Sequence, residues 1–134
     1  MATQTSARIP HVAYLRLEPS PHLVANECTE CGARFFDRRN ACASCFANSF
    51  KEVEISNDGI LRSFTIVTFA APGVPVPFVA GIVECGGTSV RGNIINVEPS
   101  PEKIRVGMPV RLNTYSLGSD DSGTEALSYG YEPA

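Results

Sequence analysis

The chain has 134 residues, 43% of them hydrophobic, and a formal net charge of −3, a size that suits one ordinary domain or two small ones. No apolar run approaches the ~20 residues that cross a bilayer. The acidic balance gives no general attraction to nucleic acid or anionic membranes, so any anion site has to be local.

Ten prolines, eleven glycines and no tryptophan, set among many Val, Ile and Thr, favour short strands and turns over long helices. Residues 1–25 read as an N-terminal arm punctuated by Pro10, Pro19 and Pro21. Met1 to Ile9 lacks the charged-then-apolar order of a secretory leader, so a cytoplasmic location is expected. Ser20 is placed to cap a helical turn that starts at Pro21 and runs through His22, Leu23 and Val24. Val12, Tyr14, Leu15 and Leu17 give the arm enough apolar surface to dock on this chain or on a partner.

Residues 26–56 read as a zinc ribbon. Cys28-Thr-Glu-Cys31 and Cys42-Ala-Ser-Cys45 are two C-x-x-C pairs separated by ten residues. Each pair lets two sulfurs converge from a tight knuckle, and a hairpin arm between them brings the second pair opposite the first. Gly32 follows the first pair, where the backbone has to turn sharply; Phe46 stands at the matching place after the second. Ala33 to Phe36 is expected as a strand and Asp37 to Asn40 as a turn. Phe50 to Ile55 alternates Val53 and Ile55 against Glu52 and Glu54, the pattern of a half-exposed strand. A unit this small lacks the core to fold alone, and metal binding supplies the missing free energy. A redox C-x-x-C needs no second pair, two disulfides belong to an oxidising compartment, and a catalytic zinc keeps open a position that four cysteines fill. The expectation is a structural Zn2+ on Cys28, Cys31, Cys42 and Cys45.

Residues 57–134 read as a barrel. Asn57-Asp58-Gly59 is a turn signal. Ile60 to Phe69 follows with apolar residues on both parities, which calls for a bulge or for burial of both faces. Phe78 to Glu84 and Thr88 to Val97 flank a hairpin turn at Gly86-Gly87. Ser100-Pro101 offers the start of a short helix ending near Ile104. Met108 to Tyr115 alternates cleanly, then a polar loop from Ser116 to Thr124 precedes a last strand, Glu125 to Tyr131. Three strands, a short helix and two strands are the element order of the OB-fold. The fold expected is therefore mostly β: an N-terminal arm and zinc ribbon followed by a five-stranded OB-fold barrel, with a helix-free barrel or an open sandwich as the alternatives.

Several words stand in order along this frame: Leu23-Val-Ala-Asn-Glu-Cys28-Thr-Glu-Cys31-Gly32, Phe35-Phe36, Arg39-Asn-Ala-Cys42, Gly59-Ile-Leu-Arg-Ser-Phe-Thr65, Pro77-Phe-Val79, Gly107-Met-Pro-Val110 and Tyr129-Gly-Tyr-Glu-Pro133. Together they resemble the zinc-ribbon/OB-fold acyl-CoA-associated family, small partner subunits of thiolase-superfamily enzymes. The resemblance runs from about Leu23 to the C-terminus. It implies a subunit, not catalytic alone, that docks on a thiolase-like catalytic subunit in a hetero-oligomer and helps form or cover the acyl-CoA site. Members serve benzoylsuccinyl-CoA thiolase in anaerobic aromatic degradation, sterol side-chain aldolases and acetyltransferases of phloroglucinol type; others bridge a thiolase to hydroxymethylglutaryl-CoA synthase. The short arm and the Phe-Thr strand incline this chain to the first group.

The chain's own chemistry is consistent with that implication. Thiolase chemistry needs a nucleophilic cysteine, a histidine and a further acid/base group. With four cysteines committed to zinc, Cys85, His11 and His22 remain, and both histidines lie far along the chain from Cys85. Cys85 reads as a small buried residue beside a hairpin. A coenzyme A thioester asks for cations and apolar surface. Arg62, Arg91, Lys103 and Arg105 are the phosphate candidates, with Phe78 beside them. The loop Ala70 to Pro77, stiffened by three prolines, is a candidate contact surface. Phe35, Phe36, Arg38 and Arg39 form an aromatic and basic ribbon tip, one phenylalanine serving the ribbon core and the other facing a partner or a phosphate. The competing function is a nucleic-acid-binding ribbon/OB module, which wants a basic groove and aromatic platforms; a free-standing enzyme using Cys85 is a third.

Overall fold

The computed structural model describes residues 7–36 and 39–134. It has strands β1 (Arg8–Pro10), β2 (Leu15–Arg16), β3 (His22–Cys28), β4 (Arg34–Phe35) and β5 (Phe50–Ile55) in the N-terminal part. These are followed by β6 (Asp58–Val67), β7 (Phe78–Cys85), β8 (Thr88–Ile94), β9 (Pro109–Ser119) and β10 (Glu125–Pro133). Among the described residues no helix is long and apolar enough to cross a membrane.

The last five strands close a barrel. They run β10-β8-β7-β6-β9, and β10 pairs back onto β9. β10 is antiparallel to β9 along its whole length and parallel to β8 at Gly130 and Tyr131, the crossover that an OB-fold requires. Period-2 alternation points Val79, Val83 and Cys85 of β7, and Val110 and Leu112 of β9, into the core. β6 does carry apolar residues on both parities, and a bulge explains it. The register with β7 shifts between Leu61 and Ser63, so Arg62 and Ser63 are both exposed and the inward parity passes from Gly59 and Leu61 to Phe64 and Ile66. Gly86 and Gly87 have φ of 54° and 78°, the two left-handed residues of the tight turn expected between β7 and β8.

The N-terminal sheet runs β2-β3-β4, with β5 on the other side of β3. It does not stand apart from the barrel. Leu15, Leu23, Ala25 and Ile55 share one buried cluster with Leu61, Val79, Val83, Ile104 and Tyr131. The arm docks on this same chain: β1 pairs parallel with β10 from Arg8 to Pro10, and Leu15 is fully buried.

Two local expectations fail and a third holds in part, each for a physical reason. No helical turn starts at Pro21; His22 opens β3, because the ladders to β2, β4 and β5 satisfy the backbone along the whole segment. Ser100 to Ile104 is a single turn, with the N–H groups of Lys103 and Ile104 both donating to the Ser100 carbonyl at 3.1 Å. It stops there because Ile104 inserts into the core and the Gly107 N–H donates to the Leu61 carbonyl at 2.7 Å, drawing the chain back onto β6. At Asn57-Asp58-Gly59 the expected turn is present as a bend at Asn57 between β5 and β6, but Asp58 and Gly59 already pair with Arg111 and Val110. Gly59 is needed for close packing instead: a Cβ there would lie 2.5 Å from Val83 Cγ1 and 2.9 Å from the Glu84 carbonyl. The polar loop is also shorter than expected, since β9 continues to Ser119.

Candidate functional site

The two cysteine knuckles are copies of one backbone motif. In the first, the Gly32 N–H donates to the Cys28 carbonyl at 2.9 Å and the Cys28 N–H to the Ala33 carbonyl at 2.8 Å. In the second, Phe46 donates to Cys42 at 2.9 Å and Cys42 to Ala47 at 2.7 Å. Both need a left-handed residue after the second cysteine, with φ of 79° at Gly32 and 68° at Phe46. The second knuckle therefore keeps the geometry without the glycine and leaves the Phe46 ring 83% exposed.

The four Sγ atoms lie within 4.8 Å of one another, and the Cys28–Cys45 and Cys31–Cys42 pairs are each 3.6 Å apart. Thiolates at ~2.3 Å from a tetrahedral zinc are separated by ~3.8 Å, so the donor set fits the metal. Cys28 and Cys42 are buried while Cys31 and Cys45 face outward. Burial opposes ionisation of Cys42, but the N–H groups of Cys45 and Ser44 point at its sulfur and the other thiols add to them, holding its pKa down to about 6. Cys45 of the same knuckle is pushed the other way, up to about 12, the Ala47 N–H being outweighed by burial and by the neighbouring thiols, so the cluster shares its protons until a metal takes their place. The residues present make a closed, structural zinc site.

Where the ribbon meets the barrel, β4 is clamped to the β7–β8 hairpin. Arg34 Nε donates to Glu27 Oε1 at 2.9 Å and its Nη1 to the Gly86 carbonyl at 2.8 Å. The Thr88 hydroxyl donates to the Arg34 carbonyl at 3.1 Å. Arg34 and Lys51 together hold the Glu27 carboxyl below its ordinary pKa. Phe36 packs against Tyr14 with ring centroids 5.4 Å apart, while Phe35 meets Phe50 edge-on at 6.4 Å and carries the Arg39 guanidinium 4.3 Å above its ring. The division of labour between the two phenylalanines is thus visible: Phe36 faces the shared core and Phe35 the ribbon tip. Arg38, and Asp37 of the expected turn, lie outside the described residues.

The residues expected on coenzyme A are spread over the barrel. Arg62 sits on the β6 bulge, ion-paired with Glu84. Arg91 is exposed on β8 and lines one depression with Arg34 and Arg39, whereas Arg62 lines another with Ile82 and Glu84. Lys103 and Arg105 are exposed on either side of the buried Ile104. Phe78 is half-buried at the start of β7, opposite Val67. Sequence reasoning missed Arg34, whose partner Gly86 is 52 residues away. The loop Ala70 to Pro77 is exposed throughout, and with Phe69 at 86% exposure it forms an apolar tip.

Cys85 is buried, receives a hydrogen bond from the Tyr131 hydroxyl at 3.8 Å, and has its pKa pushed up by burial. His22 Nδ1 is engaged with the Ser20 carbonyl at 2.8 Å.

Family comparisons match successive parts of the chain. The ChsH2 rubredoxin-like zinc ribbon domain matches residues 17–50, and the ChsH2 C-terminal OB-fold domain matches residues 52–114. Benzoylsuccinyl-CoA thiolase subunit BbsA of Thauera aromatica is 25% identical over 112 residues, spanning 84% of this chain and 76% of that one. Among solved structures, the Ltp2-ChsH2(DUF35) aldolase is similar with a TM-score of 0.64 at 25% identity, over 84% of each chain.

Proposed function

We propose that this chain, whose two parts match the ChsH2 zinc-ribbon and OB-fold domains, is a non-catalytic subunit of a thiolase-superfamily acyl-CoA enzyme. It docks on the catalytic subunit and helps form or cover the acyl-CoA site. Benzoylsuccinyl-CoA thiolase in anaerobic aromatic degradation is the specific enzyme favoured. The observation that carries the reading is a likeness over 84% of the chain to a thiolase subunit, together with the same coverage of an aldolase structure.

The residues support it from the chemical side. A thiolase nucleophile must be an accessible thiolate beside a base. Cys85 is 3% exposed, burial pushes its thiol pKa up, and the Tyr131 hydroxyl donates to its sulfur. The zinc, when bound, supplies fold and not reactivity, because four cysteines complete its shell. A thiolate zinc site suits a reducing compartment such as the cytoplasm. A nucleic-acid module is the weaker reading for a chain of net charge −3. Of the five side chains expected on the coenzyme A thioester, Arg91 is the best placed, since it joins two further arginines.

Co-purification from the native source tests the proposal. The expected partner is a thiolase-superfamily chain of about three times this length, two-domain chains being usual for that size. The pair makes or breaks a carbon–carbon bond next to a thioester, and this subunit alone does not. Thioester turnover by the isolated chain, or recovery of nucleic acid in place of an enzyme, would overturn it.

A further inference from the structure

We propose that the ribbon–barrel junction is an anion site that takes the phosphates of coenzyme A, held by Arg34, Arg39 and Arg91. The identity of the phosphate carrier rests on the function proposed above; the anion site rests on the geometry. The three arginines and Ser89 line a depression of about 490 Å³ that has no acidic residue in its lining among the described residues. In a chain of net charge −3 that concentration of cations is local and directed, which is what an anion requires here.

Each guanidinium is differently prepared. Arg34 is fixed in place by Glu27 and by the Gly86 carbonyl, so little conformational freedom is lost when it meets a ligand. The Arg39 guanidinium carbon lies over the Phe35 ring, 4.3 Å from its centre. Among the described residues no carboxylate lies within ion-pair distance of Arg39 or Arg91. Two planar forks with no carboxylate partner among the described residues, beside a third, pre-oriented one, suit phosphate oxygens, which guanidinium groups bind in pairs of parallel hydrogen bonds.

The neighbouring surface extends the fit. Tyr14 and Arg91 also line a second depression of about 340 Å³, together with Asn93, Tyr115 and Ser128. A basic end that passes into one lined by amide, hydroxyl and apolar groups and by the imidazole of His11 matches a ligand with phosphates at one end and an uncharged, amide-bearing arm at the other. Coenzyme A has that construction.

The test uses the zinc-loaded full chain in equilibrium dialysis against coenzyme A, adenosine 3′,5′-bisphosphate, pantetheine and a single-stranded oligonucleotide, at low and moderate salt. Arg39→Ala and Arg91→Ala change exposed side chains, and Arg111→Ala is the control for net charge. The expected result is salt-sensitive binding of coenzyme A and the bisphosphate, weakened about fivefold or more by either variant, with pantetheine indifferent to both and Arg111→Ala without effect. If an alanine variant loses its zinc, Arg91→Gln takes its place under the same criteria. Unchanged coenzyme A affinity in the variants, an equal loss in Arg111→Ala, or pantetheine bound as well as coenzyme A would each overturn the site. Tighter oligonucleotide binding that the variants abolish would overturn it in favour of nucleic acid. Should the chain co-purify with a thiolase-superfamily enzyme while its affinity ignores Arg39 and Arg91, this site falls and the subunit reading stands. Arginine-dependent coenzyme A binding without such a partner has the reverse meaning.

Discussion

The hydroxyl of Tyr14 lies 3.1 Å from that of Tyr129, and because Tyr129 donates its own proton to the Arg91 carbonyl, Tyr14 is the donor of the pair. Their rings also meet edge-on, with centroids 5.8 Å apart. One short chain of hydrogen bonds thus joins the N-terminal arm, the last barrel strand and the strand that carries Arg91. Burial pushes the Tyr129 pKa up, with the Tyr14 contact adding to it, so the hydroxyl remains a donor throughout the physiological range.

Tyr129→Phe is expected to destabilise the chain by about 1–2 kcal/mol, because it leaves the Arg91 carbonyl and the Tyr14 hydroxyl without their partner. Tyr14→Phe removes one bond and costs less. Urea unfolding of both variants checks the order; a Tyr14→Phe cost equal to or above that of Tyr129→Phe would refute the donor assignment.

Elemental analysis of the purified chain is expected to give one zinc per chain, abolished by Cys28→Ser or Cys42→Ser, the two buried ligands. Because β3 ends at Cys28 and also places Leu23 and Ala25 in the common core, chelation should lower the stability of the barrel as well as the ribbon. A barrel that melts at the same temperature with and without metal would show the two parts to be independent.

Phe46→Gly should keep the zinc and raise stability. A left-handed φ costs an L-residue roughly 1–2 kcal/mol, of which glycine recovers part after its own entropy loss; the exposed ring at φ 68° offers little packing in return. A gain of about 0.5–1 kcal/mol in thermal or denaturant unfolding is expected, and a loss of stability would mean that the ring is anchored.

Gly59→Ala tests the packing argument from the opposite direction. The new methyl would press on Val83 Cγ1 and the Glu84 carbonyl, and the backbone of β6 and β7 would have to part, at about 1–3 kcal/mol. Gly87→Ala meets nothing within 4 Å but is strained by its φ of 78°, so both are destabilising, for separable reasons. A denaturation midpoint for Gly59→Ala equal to that of the parent would be incompatible with the close β6–β7 approach.

Glu27 contributes to the pH dependence of stability, as do Asp120 and Glu132, whose carboxyls are also held low by hydrogen bonds. The folded pKa of Glu27 is depressed, first by Arg34 and then by Lys51. Its contribution is therefore complete above the unfolded-state pKa and disappears as pH falls through the lower folded value. Wild type and Glu27→Gln should converge in stability below that window and diverge above it. Parallel curves across acidic pH would show that the carboxylate is not the group responsible.

Much of this architecture was legible in the order of residues. The C-x-x-C spacing carries its own chemistry, and the alternation of Val53 and Ile55, or of Val110 and Leu112, marks strand faces directly. The mixed parity of β6 called for a bulge or for burial of both faces, and the register shift between Leu61 and Ser63 shows it to be the bulge. What stayed hidden was decided at long range. Pro21 and Pro101 look like helix starters, but the ladders of β3 and the burial of Ile104 override local preference. Gly59 sits in a turn-like word yet is required by Val83, 24 positions on by the numbering of the sequence. The basic junction was only half readable: Arg39 and Arg91 were candidates on separate grounds, and only folding brings them to Arg34.

The position of β10 has a consequence for how the molecule is made. The barrel cannot close before Glu125–Pro133 has been synthesised, since that strand fills the gap between β8 and β9. The four metal ligands have all been added by residue 45. During translation, then, zinc can staple the N-terminal third while the remainder is still an open sheet with exposed edges, giving the growing chain a folded foothold against aggregation.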